Sequence, residues 1–202
     1  MDPLEVGAAA PATAPSGAPS RDARRDPVTL AALRARDGDA SAEAAFVRRT
    51  QADVWRLCAA LVDRSAAEDL AQECYLRAFR ALPAFEGRSS GRTWLLAIAR
   101  RTCADHLRAA TRRRRLVDLL ASRAAEASVP DPAGGVSAAD LLARLEGTRR
   151  SAFVLTQVIG LSYEEAAEVE GVPVGTIRSR VWRARSDLVA AVGDGDEGGA
   201  AR

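Results

Sequence analysis

The sequence predicts an all-α protein of two small helical domains joined by a flexible linker, and three observations predict it. Strand signals are almost absent: there is no sustained alternation of apolar and polar residues, and no Asn-Gly or Asp-Gly turn between apolar runs. Apolar residues instead recur at steps of three and four along most of the chain. Pro/Gly punctuation in SVPDPAGG, at 128–135, separates two such stretches. At 202 residues and 48% apolar content the chain can fill one domain or two small ones.

Residues 1–27 are rich in Ala, Pro, Gly and Ser (PATAPSGAPS) and predict a disordered tail. Helical patterning starts near Val28 and runs through Phe46, Val54, Trp55, Cys58 and Leu61. Ser65 and Glu68 stand in the S-x-x-E relation of a capping box, which predicts a helix to about Leu82, stopped by Pro83. On its wheel Leu70, Ala71, Cys74, Tyr75, Ala78, Ala81 and Leu82 share an apolar arc, while Gln72, Glu73, Leu76 and Arg80 lie opposite. An outward Leu is either a lone surface residue or an anchor for a partner. A loop at 84–92 (AFEGRSSGR) leads into a long helix ending near Arg108 or Ala110, followed by the basic run Arg112 to Arg115. Residues 116–137 predict a short helical piece and the linker, 138–192 a second helical unit, and 193–202 a frayed tail.

The most informative stretch is LSYEEAAEVEGVPVGTIRSRVWRA, at 161–184. Ser162 and Glu165 form a second capping box, and Gly171 permits the left-handed turn that ends a helix. Pro173 suits the first turn of the next. Val174, Ile177, Val181, Ala184 and Leu188 then make one buried stripe. Arg178, Ser179, Trp182, Arg183 and Ser186 fall on the opposite side. Such a face is either a solvated helical hairpin or the recognition helix of a helix-turn-helix. An outward Trp between arginines fits nucleic acid better than water. Glu164, Glu165, Glu168 and Glu170 on the first helix, against Arg178, Arg180, Arg183 and Arg185 on the second, polarise the motif toward phosphate.

The net charge of +2 conceals its distribution: residues 88–115 hold nine Arg and one acid, Asp105, a footprint suited to phosphate. Cys58, Cys74 and Cys103 are few, odd in number and far apart, which argues against a disulfide framework and for a reducing cytoplasm. Cys103 and His106 share a helical face, but no second close ligand pair completes a metal site. The chain has no secretory leader pattern and no apolar run near the ~20 residues of a membrane span, so it is expected to be soluble and cytoplasmic. No Walker loop, no paired-carboxylate site and a single His leave an enzyme without machinery, and no cofactor is implied.

In this order the pieces resemble a bacterial RNA polymerase sigma factor of the extracytoplasmic-function type. LSYEEAAEVEGVPVGTIRSRVWRARSDL is similar to the family's region 4, SAAEDLAQECYLRAFRALPAF to region 2.2, and RTWLLAIARRTCADHLR to regions 2.3 and 2.4. About 150 of the 202 residues are covered. RSSGRTWLLAIAR with ADHLR resembles the sigma factor C subgroup of actinobacteria. The resemblance implies a non-enzymatic initiation factor with region 2 at 28–115, a linker at 116–137 and region 4 at 138–192. It implies that Asp69, Gln72, Glu73 and Leu76 dock on the β′ clamp helices of core polymerase, whose β subunit is a further partner. The 84–92 loop resembles the one that captures a flipped base of the −10 element, with Phe85, Arg88, Ser89 and Arg92 as its candidates. Arg100, Arg101 and Arg108 behind it would hold the strand's phosphates, and Arg149 and Arg150 are further phosphate candidates. Gly91 departs from the family, many of whose members carry an aromatic there, and Trp94 reads as core. Arg178, Ser179, Trp182 and Arg183 map to the face that reads the −35 element of promoter DNA. An anti-sigma factor is a family-level partner. The alternative is a helix-turn-helix regulator that is not a polymerase subunit, and the acidic, Leu-bearing face of helix 65–82 argues against it.

Overall fold

A computed structural model describes residues 26–120 and 137–197, and among these there is no strand. Of the tails expected at 1–27 and 193–202, residues 1–25 and 198–202 lie outside the described residues, as does most of the linker (121–136), while 193–197 continue the last helix. The helices are α1 (Pro27–Arg36), α2 (Ala40–Leu61), α3 (Ala67–Ala81), α4 (Gly91–Leu120), α5 (Ala138–Arg144), α6 (Gly147–Phe153), α7 (Tyr163–Glu170) and α8 (Val174–Glu197).

The single stretch expected from 28 to 61 is two helices. Gly38 turns the chain at φ 93°, and Asp39 caps α2 by accepting from the amides of Ser41 (2.9 Å) and Ala42 (3.0 Å). The capping box expected at Ser65 does not form. Asp63 takes its place, its Oδ1 accepting from the Ser65 hydroxyl (2.6 Å) and the Ala66 amide (2.8 Å). A carboxylate oxygen accepts both donors at once, so the stronger acceptor claims the helix start. The helix α4 is longer than expected: it continues through Arg112 to Arg115 and reaches Leu120. Residues 116–120, expected to open a separate short helical piece before the linker, are therefore the end of α4.

Phe46, Val54 and Leu57 of α2 and Leu95 and Leu96 of α4 are fully buried, with Leu70, Cys74 and Ala78 of α3 closing the bundle. The three cysteines meet in this core. The Cys103 thiol lies 3.7 Å from Cys58 Sγ, and all three are free and buried. Hydrogen bonding among these thiols, with burial, pushes the Cys58 thiol up, disfavouring the reactive thiolate. In the native protein none of the three should react with an aromatic disulfide reagent within minutes, and all three should react in denaturant. Rapid native labelling of any one would contradict the packing.

In the C-terminal unit α6 continues through one wide π-helical turn, where the Ile159 amide donates to the Val154 carbonyl (2.9 Å). The Ser162–Glu165 box forms in both directions, at 3.1 Å and 2.8 Å, and Gly171 ends α7 at φ 67°. Pro173 lies just before α8 rather than within it. Ile177, Val181 and Ala184 are buried where α8 packs on α6 and α7, with Val174 and Leu188 half-buried at the stripe's ends. The C-terminal unit is not held at a distance: α7 packs on α4 and α5 on α2, so both units share one apolar core.

Candidate functional site

Three places gather the residues singled out above. On α8, Arg178, Ser179, Trp182, Arg183 and Ser186 are all exposed, and Trp182 is 69% exposed. Arg178 stands 4.0 Å from Glu164, both well solvated, a pair that contributes little. Arg149 and Arg150 do not join this face. Arg149 donates to Asp187 Oδ2 (2.8 Å), fastening α6 to α8. Arg150 turns inward and donates to the carbonyls of Leu145 (3.1 Å) and Leu61 (3.4 Å), and burial pulls its pKa down. Carbonyl oxygens left over at the ends of α5 and α2 claim that guanidinium.

On α3, Asp69 and Gln72 are exposed and Leu76 is 54% exposed, opposite the buried Leu70, Cys74 and Ala78. Glu73 is partly committed: its Oε1 accepts from Arg77 Nε (2.7 Å), and Arg77 also donates to Asp105 of α4 (2.8 Å).

The third place is a cleft of about 860 Å³ between the 84–92 loop and α7. Arg88, Ser89, Trp94 and Arg101 line one side, with Glu164, Glu168 and Pro173 facing them. Burial raises the Glu168 pKa, with Glu165 adding to it. Phe85, expected to read a base, is only 4% exposed, and its ring sits 4.8 Å from that of Trp94, which in turn packs near Phe46. Burying an aromatic ring is worth more than presenting it to water, so Phe85 forms the floor of the loop and of the cleft rather than standing out from it. Trp94, expected in the core, is half-buried: it packs against the core and also lines the cleft. Arg88 pairs with Glu86 at the surface (2.6 Å) and Arg108 with Asp105 (2.5 Å), both solvated enough to exchange for phosphate.

Arg92 and Arg100, expected to hold DNA, are engaged within the protein. Arg92 donates to Asp53 Oδ2 and to the Ile159 carbonyl, each at 2.8 Å. Arg100 makes a bidentate pair with Glu170 at 3.0 and 2.9 Å, bridging α4 and α7. The Glu170 side chain is 1% exposed and also accepts from the Ser151 hydroxyl and from Arg180 (3.4 Å). Reading Glu170 as one of four acids that polarise the motif toward phosphate missed this. The available signal was position: a carboxylate at a helix C-terminus opposes the macrodipole and needs a cation to offset it.

Two families match the chain: Sigma-70 region 2 over residues 46–113, and Sigma-70, region 4 over 136–188. A relative from Mycobacterium tuberculosis, the ECF RNA polymerase sigma factor SigC, is 47% identical over 169 residues, covering 81% of this chain and 90% of its own. Among solved structures, CnrH in complex with the cytosolic domain of CnrY is similar at a TM-score of 0.65 and 26% identity, over 84% of this chain and 99% of that one. The sigma factor RpoE of Bartonella quintana, in complex with the anti-sigma factor NepR, is similar at 0.57 and 30%, over 70% and 91%.

Proposed function

Because this chain belongs to the extracytoplasmic-function sigma factors of RNA polymerase, in the sigma factor C type, we propose that its three faces divide the work of starting transcription. As a sigma factor it directs core polymerase to promoters. The face of α3 docks on the β′ clamp helices, with Leu76 as apolar anchor and Asp69 and Gln72 as polar rim; Glu73 joins once Arg77 lets go. The face of α8 enters the major groove at the −35 element, Arg178 and Arg183 reading bases and Trp182 and Ser179 flanking them. The loop with Arg88, Ser89 and Arg101 receives a base of the −10 element. Unstacking that base costs a few kcal/mol, which a fitted pocket and cationic backbone contacts offset.

Arg100 serves the strand's phosphates only when α7 leaves α4, so promoter opening requires the two units to part; Arg92 must in addition exchange Asp53 of α2 for phosphate. Each unit alone is a weak grip on DNA, and the tether between them raises the effective concentration of the second grip once the first has bound. Domain limits of 28–115 and 138–192 belong to the same proposal, with the first unit ending in the helix that runs to Leu120. The chain acts without catalysing a reaction. No helix among the described residues is long and apolar enough to cross a membrane. An anti-sigma protein is its proposed regulator, supported by the similarity to RpoE in its complex with NepR.

The observation that carries the reading is Leu76: a leucine 54% exposed on a helix whose other side is core, set beside exposed Gln72. Gln72→Ala with Leu76→Asp should leave thermal stability within ~0.5 kcal/mol, as for a surface change, and weaken binding to core polymerase at least about tenfold, since a charge at an apolar anchor must be desolvated. Run-off transcription should fall with it. Assembly at native affinity would overturn the assignment.

A further inference from the structure

We propose that α1 is a splint for the base-capturing loop, making Thr29, Leu33 and Arg36 positioning residues for promoter opening. The proposal rests on the reading of the 84–92 loop given above. The helix α1 lies outside the segment that matches Sigma-70 region 2, which begins at residue 46.

Three side chains of one face of α1, at i, i+4 and i+7, hold the loop at its entry, middle and exit. At the entry Arg36 donates to the Phe85 carbonyl at 3.0 Å. In the middle, Gly87 adopts φ 71°, and a Cβ built there would sit 3.5 Å from Leu33 Cδ1. At the exit the Gly91 amide donates to Thr29 Oγ1 at 2.8 Å, a buried bond between residues 62 positions apart. The Thr29 hydroxyl is itself oriented: it donates to Asp26 Oδ2 at 2.7 Å, which leaves a lone pair for Gly91. Asp26 also caps α1 by accepting from the Thr29 amide at 2.9 Å, so the helix start and the loop exit share one carboxylate.

The same contact explains Gly91. A Cβ there would lie 3.1 Å from Thr29 Cα and 3.2 Å from the Val28 carbonyl oxygen, both backbone atoms that cannot swing aside. Where a side chain would otherwise stiffen the loop from within, this chain admits a helix that stiffens it from outside. A loop that must accept an extruded base gains from being held in that geometry beforehand, because ordering it during capture costs entropy. The pair Arg88–Glu86 at the tip stays solvated and available to the strand.

The test uses full-length protein assembled with core polymerase. Thr29→Val removes the acceptor while keeping the shape, Thr29→Ser restores it, and Arg36→Met removes the entry contact at the surface. The readouts are holoenzyme affinity, and the rate at which thymines of a duplex promoter become reactive to permanganate as strands part. Thr29→Val and Arg36→Met should assemble like wild type yet open at least about tenfold more slowly, and Thr29→Ser should open at the wild-type rate. If Thr29→Val does not fold, Arg36→Met carries the same expectation. If assembly and opening fall together and Ser does not rescue, α1 is packing alone and the proposal is wrong. Arg88→Ala with Ser89→Ala separates the two readings. Slow opening by this pair, with wild-type opening by the α1 variants, overturns the splint and keeps the loop. Wild-type opening by the loop pair removes the loop reading and the splint with it.

Discussion

Replacing Glu170 by alanine should cost about 3 kcal/mol of unfolding free energy and loosen the C-terminal hairpin from the N-terminal bundle together. Removing one partner from a buried ion pair costs roughly 3–5 kcal/mol. The lower end applies because the cations left behind, Arg100 at 29% and Arg180 at 23% exposed, can recover part of their hydration. Glu170 is a carboxylate that α4, α6 and α8 all address, through Arg100, Ser151 and Arg180. Arg100→Ala isolates the cross-unit share, since Ser151 and Arg180 remain on Glu170. It should cost about 1.5–3 kcal/mol, as for loss of a hydrogen-bonded charge, and enlarge the radius of gyration in small-angle scattering as α7 leaves α4. Denaturant midpoints and scattering on both variants check this. A Glu170→Ala protein as stable and compact as wild type would remove the bridge from the account.

Arg178→Ala combined with Arg183→Ala should abolish discrimination at the −35 element while leaving fold and holoenzyme intact. Both side chains are exposed, and among the described residues the only ion pair they make is the loose one from Arg178 to Glu164. Their loss therefore costs the fold little. Each arginine in bidentate contact with guanine contributes roughly 1–3 kcal/mol of discrimination, and two on separate bases add approximately. The ratio of run-off transcript from a matched promoter to that from one with a scrambled −35 element should drop by about a hundredfold or more. Binding to core polymerase should not change. An unaltered ratio would show that this face does not read DNA.

Residues 161–184 were legible because their structure is set by neighbours a few positions away. The capping box at Ser162 and Glu165, the left-handed Gly171 and the stripe Ile177, Val181 and Ala184 are all local consequences of side-chain type and helical period. The face of α3 was legible for the same reason, since burying Leu70, Cys74 and Ala78 forces Gln72 and Leu76 outward. Cap chemistry was less secure where two acceptors competed, and Asp63 displaced Ser65.

The candidate −10 residues were the least legible. Their sequence points to the loop at 84–92, yet Phe85 turns under it, Arg100 turns to Glu170 and Arg92 to Asp53 and Ile159. An arginine beside a loop carries no mark of whether its carboxylate or its phosphate partner lies within the chain or beyond it. Local periodicity thus determined most of the helices and the outward faces of α3 and α8. Which cations remain free for DNA, and which helix braces the loop, was decided by tertiary packing. Those choices depend on contacts such as Arg100 with Glu170 and Gly91 with Thr29, 70 and 62 positions apart. Only the folded core brings such pairs within hydrogen-bond range.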